Sequence, residues 1–271
     1  MNPVSIVPLI FLSFVKNWNL IFQLTKRNIE ARFKGAALGV LWSFFTPILM
    51  LVVYTFVFGV ILDIRWINQE GGNLEFATIL FSGLIAHTYF SDCLQASTEL
   101  IVSNRQYVKK VVFPLETLSW VAAFTALFQL VVSILVLISY LLIIQQSLSW
   151  TIIFLPIIIF PLMIMALGFS WLISAVTVYV RDLRQLIGPL TLILLFVSPI
   201  FYPATNLPSN LRFLIYVNPI SWVVDESRNL ILWGTLPDLN GALIYYSASI
   251  AIAWFGLFCF KNLRLGFSDV I

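Results

Sequence analysis

Six long apolar stretches, separated by shorter polar segments, dominate the sequence. They are Ala36–Leu62, Phe76–Leu94, Leu118–Ile144, Ile152–Val180, Leu186–Tyr202 and Ala242–Phe260, numbered here as spans 1 to 6. About 20 apolar residues cross the roughly 30 Å hydrocarbon core of a bilayer, so five stretches are long enough and span 5 is shorter. The pattern predicts an all-α integral membrane protein, residues 1–271, with six transmembrane helices in one domain.

The positive charges are distributed unevenly between the gaps. Twelve of the fifteen Lys and Arg residues lie in the N-terminal segment, the gaps after spans 2 and 4, and the C-terminal tail. Positive residues accumulate on the cytoplasmic side of membrane proteins. We therefore predict that both termini are cytoplasmic, with Lys16, Lys109 and Arg184 inside and Glu70 and Asp238 outside.

Composition narrows the class of protein further. With 61% hydrophobic and 10% charged residues, the chain is unlike a soluble globular domain. No run of adjacent basic residues exceeds two, which argues against nucleic-acid binding. Cys93 and Cys259 lie at predicted cytoplasmic ends of spans, so we expect free thiols.

The N-terminal segment, residues 1–35, is predicted to contain an interfacial helix. Asn19–Lys34 has helical periodicity with one basic face, and such a helix lies in the headgroup plane of a membrane. A helix that only anchors span 1 is the alternative. The basic residues assigned to this helix are Lys26, Arg27, Arg32 and Lys34.

A few small or polar residues in the spans predict helix contacts. Gly35 and Gly39, at GxxxG spacing, predict a close approach of two helices, with incidental small residues as the alternative. His87 and Gln129 are expected to hydrogen-bond neighbouring helices. Asp92 lies near the predicted cytoplasmic end of span 2, where carboxylates are usually solvated.

The cytoplasmic gap Glu99–Glu116 is too long and too apolar for a simple turn. Leu100 to Val108 is predicted to continue span 2 as a helix, and Pro114 to end it before span 3. A basic loop that only sets topology is the alternative.

The outer gap, residues 203–241, contains the apolar stretch Leu207–Trp233, which Asn218–Pro219 divides into two segments. Each segment is too short to cross the membrane. We predict two short re-entrant helices that are covered by protein or line a wet cavity, followed by span 6 and the cytoplasmic tail in residues 242–271.

Several kinds of chemistry are missing from the sequence. It contains no GxxxxGK[ST], HExxH, CxxC or GxSxG motif and only one histidine. We expect a protein that is not an enzyme and that binds no metal or cofactor itself. The alternative class, an intramembrane glycosyl- or acyltransferase, would need converging carboxylates or a His base.

Five blocks follow one another along the chain. They are RFKGAALGVLWSFFTPILMLVVYTFVF (Arg32–Phe58), VKKVVFPLE (Val108–Glu116), VRDLRQ (Val180–Gln185), SPIFYP (Ser198–Pro203) and NPISWVVDESRNLILWG (Asn218–Gly234). In this order they resemble the permease subunits of type-2 ABC exporters of bacterial polysaccharides. VRDL and SPIFYP are more similar to O-antigen exporters than to capsule exporters, and teichoic-acid exporters share much of the pattern.

The resemblance implies a function and a set of partners. It implies the type-2 ABC exporter permease fold, in a homodimer bound to two separate ATPase subunits that hold ATP and Mg. The substrate implied is a lipid-linked, O-antigen-like polysaccharide leaving through the bacterial inner membrane. Export of capsule, teichoic acid or a small lipid or drug is the alternative.

The resemblance also assigns site residues. The ATPase-coupling residues implied are Arg105, Tyr107, Lys109, Lys110, Arg181 and Arg184. Because the family's spans 1 and 5 border the dimer axis, and aromatic faces suit the C–H faces of sugars, aromatic residues there are expected to line the substrate path. These are Trp42, Phe45, Tyr54, Phe56, Phe196, Phe201 and Tyr202.

Overall fold

The computed structural model describes residues 12–62, 73–109, 113–146, 148–204 and 207–270. Glu70 and Lys110 lie outside these ranges. The described α-helices are α1 (Trp18–Arg32), α2 (Trp42–Tyr54), α3 (Asn73–Ser97), α4 (Arg105–Val108), α5 (Thr117–Tyr140), α6 (Leu155–Tyr179), α7 (Leu183–Val197), α8 (Phe213–Val217), α9 (Ser221–Arg228), α10 (Leu239–Leu263) and α11 (Phe267–Val270). Within the described ranges no β-strand occurs, so the all-α prediction is confirmed there.

Short helical segments of other types extend several of these helices. The 3₁₀ segments are Gly39–Leu41, Val102–Asn104, Trp150–Phe154 and Arg264–Gly266. The π-helical segments are Thr55–Ile61 after α2, Leu141–Gln145 after α5 and Asn229–Trp233 after α9.

Four helical stretches of the described chain are long and apolar enough to cross a membrane: Gly39–Ile61, Thr117–Ile144, Trp150–Tyr179 and Leu239–Val270. They correspond to predicted spans 1, 3, 4 and 6. Predicted span 5 is the shorter apolar helix α7. It ends at Val197 because Ser198 precedes Pro199 and is extended, with φ −69° and ψ 147°. A residue before proline is driven out of the helical region.

Helix α3, which contains predicted span 2, lies at the centre of the bundle. It contacts α2, α5, α6, α7 and α9, and most of its side chains from Phe76 to Leu94 are buried. The His87 ring nitrogen Nε2 lies 2.9 Å from the carbonyl oxygen of Thr191 in α7. Gln129 of α5 donates to the carbonyl of Ser43 in α2 over 3.0 Å. Both residues therefore make the interhelical hydrogen bonds that were predicted.

Helices α6 and α10 approach each other closely. A Cβ added to Gly256 would overlap the carbonyl oxygen of Gly168, and one added to Gly168 would lie 2.7 Å from the backbone of Ala253. Small residues allow two helix backbones to approach, as in membrane helix pairs generally.

The GxxxG prediction at Gly35 and Gly39 is wrong for contacts within this chain. Gly35 has φ +85°, Gly39 has φ +52°, and no atom would lie within 4 Å of a Cβ at either position. Both residues lie between α1 and α2, Gly35 in a turn and Gly39 at the start of the 3₁₀ segment, and a positive φ favours glycine. Span 1 consequently becomes helical at Gly39 and not at Ala36.

The predicted helix from Leu100 to Val108 is also wrong as one continuous element. Helix α3 ends at Ser97, and the chain turns before the short helices Val102–Asn104 and α4. The hydroxyl of Thr98 donates to the carbonyl of Gln95, and the amide of Asn104 donates to the carbonyl of Leu100. Such local side-chain bonds compete with helix continuation.

Candidate transport path and coupling surface

Four aromatic rings connect α2 with the end of α7. The ring centroids of Tyr54 and Phe58 lie 6.2 Å apart, those of Phe58 and Phe201 6.4 Å, and those of Phe201 and Phe196 5.7 Å with stacked planes. Three of the four rings were assigned to the substrate path from the sequence. Phe58, which joins them, was missed, although its position four residues after Tyr54 places it on the same helix face.

Tyr202 stabilises the end of this aromatic run. Its hydroxyl donates to the carbonyl oxygens of Phe196 at 2.8 Å and Val197 at 3.1 Å. These carbonyls belong to the last turn of α7, where helix carbonyls have no partner inside the helix. Tyr202 therefore caps the C-terminus of α7 by donating to its last carbonyls, next to the rings of Phe196 and Phe201.

The remaining predicted path residues do not join that run. Trp42 and Phe45 lie at the opposite end of α2, with ring centroids 5.0 Å apart. Phe56 lines a separate apolar groove of about 700 Å³ between α2 and α5.

Large apolar side chains on α2, on the π-helical segment after it and on α7 are partly exposed within the described chain. They include Leu49 and Val52 on α2, Phe56 in the π-helical segment, and Ile193 and Phe196 on α7, of which Phe196 is 59% exposed. In a membrane such faces meet lipid or another helix.

The predicted coupling residue Tyr107 connects two elements at the other end of the bundle. Its ring stacks on Phe113 with centroids 4.3 Å apart and planes within 8°. Its hydroxyl accepts a hydrogen bond from Nη1 of Arg27 in α1 at 3.4 Å. The segment that follows α3 is thereby joined to the N-terminal helix.

Two ion pairs connect the segments around that site. Arg184 and Glu99 approach to 3.0 Å, and Arg264 and Glu116 also to 3.0 Å. The guanidinium of Arg264 donates in addition to the carbonyl of Phe113 at 3.3 Å. These contacts link the start of α7 and the end of α10 to the segment between α3 and α5.

The other predicted coupling residues lie on the surface. Arg105, Lys109 and Arg181 are exposed, and the Nε of Arg105 donates to the carbonyl of Val102 at 3.2 Å. Together with Arg184 they present basic side chains around the described part of this segment.

Helix α1 is amphipathic, as predicted. Ile21 and Leu24 are buried, and the helix contacts α5. The four basic residues assigned to this helix from the sequence are all exposed. They are Lys26, Arg27 and Arg32 in α1 and Lys34 just after its end. Trp18 and Phe22 are exposed as well, a combination typical of helices at a membrane surface.

Arg228, which was not predicted as a site residue, is buried in the region that precedes α10. Only 1% of it is exposed. Its Nε donates to the carbonyl of Ile79 at 3.1 Å, Nη1 to that of Pro199 at 2.5 Å and Nη2 to that of Ile200 at 2.7 Å. One side chain on α9 therefore joins α3 to the segment that follows α7.

The carboxylate beside Arg228 balances it only in part. Asp225 lies 3.8 Å from the guanidinium, and burial raises the pKa of the Asp225 carboxyl to about 6, although Arg228 acts to lower it. The three carbonyls are therefore the main partners of Arg228. The signal available in the sequence was an Asp and an Arg three residues apart, in the short polar run DESRN within the apolar stretch Leu207–Trp233.

The family model for the ABC-2 type transporter matches residues 19–232. The O-antigen export system permease protein RfbA of Myxococcus xanthus is 24% identical over 93% of this chain and 95% of its own. A Klebsiella pneumoniae protein of the same name is 25% identical over 94% and 95%. The polysialic acid transport protein KpsM of Escherichia coli is 24% identical over 89% and 88%.

Proposed function

The chain belongs to the ABC-2 type transporter family, and we propose that it is the permease subunit of an exporter for lipid-linked, O-antigen-like polysaccharide in the bacterial inner membrane. The observation that carries this proposal is similarity over nearly the full length of both chains to permeases named for O-antigen export. Apolar helices of membrane-spanning length agree with a multi-pass membrane protein. Similarity to a polysialic acid transport protein favours capsule-type polysaccharide as the second candidate substrate.

In this proposal the chain crosses the membrane six times with both termini in the cytoplasm. The four long helices, α3 and α7 are the six spans, and α8 and α9 form the re-entrant region. Helices of five and eight residues are too short to cross, since about 20 residues are needed. Impermeant labelling of single cysteines should reach position 70 and not position 109. The reverse pattern would invert the topology.

Energy for transport is proposed to come from two separate ATPase subunits. The sequence has no P-loop, and a P-loop uses backbone N–H groups and a Lys to hold nucleotide phosphates. The exposed basic residues near α4 and α7 offer a docking surface, because charged surfaces of opposite sign guide partner association. ATP and Mg would be bound by the partner.

The path is proposed to form between two copies of the chain. The partly exposed apolar faces of α2 and α7 suit a helix of a second copy, and the aromatic run from Tyr54 to Phe196 connects these two helices. Closure of the ATPase pair would push on α4, α1 and the ion-paired segments. Separation of α2 and α7 of the two copies would then open a route with aromatic rings beside it.

The proposed function is tested by deletion and complementation. Loss of the gene should remove surface polysaccharide and leave lipid-linked glycan inside the cell, and the wild-type gene should restore export. A deletion strain with unchanged surface polysaccharide would overturn the proposal.

The aromatic path is tested in the same strain. Tyr54→Ala, Phe196→Ala and Tyr202→Ala should each reduce export while the protein still folds and assembles. Tyr216→Ala and Phe255→Ala, at exposed positions away from the run, are matched controls. Normal export by all three path variants would make these rings ordinary packing.

A further inference from the structure

Two cavities share part of their lining. The lower one, of about 420 Å³, lies between α1, α3, α5 and the segment after α3, and the upper one, of about 320 Å³, lies between α2, α3 and α5. Arg32 and Asp92 line both cavities. Each volume lies within the range of small-molecule sites.

Neutral polar groups form part of the lower cavity's wall. Asn28, Gln95 and Asn104 contribute amides, and Ser103 and Thr125 contribute hydroxyls. The amide nitrogens of Gln95 and Asn104 already donate to Ser91 and Leu100, so their amide oxygens are the groups that would accept hydrogen bonds from a ligand with several hydroxyl groups. The single cation, Arg32, is accompanied by the carboxylate of Asp92, which would repel a phosphate.

The upper cavity combines aromatic and polar groups. Trp42, Tyr54 and Phe81 supply rings, while Gln129 and Ser133 supply hydrogen-bonding groups. Rings suit the C–H faces of a sugar, and polar side chains suit its hydroxyls. Tyr54 also begins the aromatic run towards Phe196.

We propose that these cavities form a sugar-binding site within one protomer. The lower cavity takes one neutral sugar unit and the upper cavity the next, before the glycan reaches the aromatic run. This inference rests on the proposed function and adds to it a binding site formed by α1, α2, α3 and α5.

The walls of the lower cavity make the site responsive to the coupling segment. Asn28 and Arg32 come from α1, whereas Ser103 and Asn104 come from the segment that leads to α4. The contact between Arg27 and Tyr107 joins these same two elements. A displacement of α4 would therefore change the shape of the cavity.

Small residues keep the lower cavity open and give a direct way to close it. Ala122 and Ala126 of α5 form part of its wall. Ala126→Phe should fill the space, and Ala126→Leu should fill part of it with less strain. The double variant Gln95→Leu, Asn104→Leu removes two amides without adding a large side chain.

The test is binding of neutral methyl hexosides to the purified full-length chain in nanodiscs, followed by saturation-transfer NMR. Wild type should bind, and Ala126→Phe and the double variant should each bind about tenfold more weakly. Ala248→Phe, the same substitution at an exposed position of α10, should bind like wild type. Thermal unfolding of each variant identifies any that fails to fold, and Ala126→Leu then replaces it.

The outcomes separate this site from the proposed function. Absence of hexoside binding to wild type, unchanged binding in the filled variants, or displacement of hexoside by inorganic pyrophosphate would each overturn the sugar site. Binding that is lost in the filled variants supports the site whether or not deletion of the gene alters surface polysaccharide. That deletion result alone judges the proposed function.

Discussion

The two ends of the molecule use arginine in opposite ways. The side chain of Arg228, before α10, is 2% exposed and donates to three backbone carbonyls, whereas those of Arg184 and Arg264 are 41% and 35% exposed and pair with carboxylates. A buried cation without its partners is costly, but an exposed pair contributes little. The contrast indicates a tightly held arginine at one end, where Arg228 and its three carbonyl partners are called the clamp below, and more exposed ion pairs at the other end.

The largest expected effect comes from breaking the clamp. Arg228→Met should destabilise the protein by about 3–5 kcal/mol, because it leaves buried carbonyls and Asp225 without their cation. Unfolding of the purified chain in detergent measures this. Arg228→Lys, which keeps the charge but not the fork of donors, should have an intermediate effect.

Arg212→Met is the matched control for the clamp. Arg212 is exposed in the same predicted outer region, so its loss should change stability by less than about 0.5 kcal/mol. Equal effects at positions 212 and 228 would show that the burial of Arg228 and its three carbonyl contacts do not stabilise the protein.

A smaller effect is expected from the exposed pair of Arg184 and Glu99. A double-mutant cycle with Arg184→Gln and Glu99→Gln should give a coupling energy of about 0.2–1 kcal/mol. Added salt should reduce that coupling and leave the effect of Arg228→Met nearly unchanged. A coupling energy as large as the loss of stability in Arg228→Met would show that this ion pair stabilises the fold as strongly as Arg228 does.

The smallest effect on stability is expected at Lys109 and Lys110. Reversal of both to Glu should leave unfolding unchanged, yet weaken association with the partner ATPase by about tenfold or more, since charged docking surfaces lose affinity when their sign is reversed. Co-purification with the ATPase at low salt tests this. Lys16→Glu with Arg212→Glu makes the same charge change away from this segment and should leave association intact.

Individual residues show where prediction from the sequence succeeded. His87 and Gln129 were expected to bond to neighbouring helices, and both do, because a polar group in an apolar bundle must find a partner. Cys93 and Cys259 are free as expected.

Other residues show why prediction failed. The spacing of Gly35 and Gly39 suggested a helix contact, but spacing carries no information about φ, which is positive at both. A close approach of two helix backbones does occur at Gly168 and Gly256, but these residues are far apart in the sequence. Of the rings assigned to one path, Trp42 and Tyr54 line the same cavity, whereas Phe56 lines a separate groove, because the neighbouring helices, which the sequence pattern does not identify, decide what each side of the span faces.

The sequence by itself determined the class of protein and the order of its apolar helices, since period and length of apolar residues act locally along the chain. Its blocks also indicated the transporter family. Only the tertiary structure decided that Phe58 joins Tyr54 to Phe201, that Arg228 binds carbonyls of α3 and of the segment after α7, and that Arg32 and Asp92 line the same two cavities. These contacts depend on which helix faces meet, and packing of distant segments, not local pattern, selects those faces.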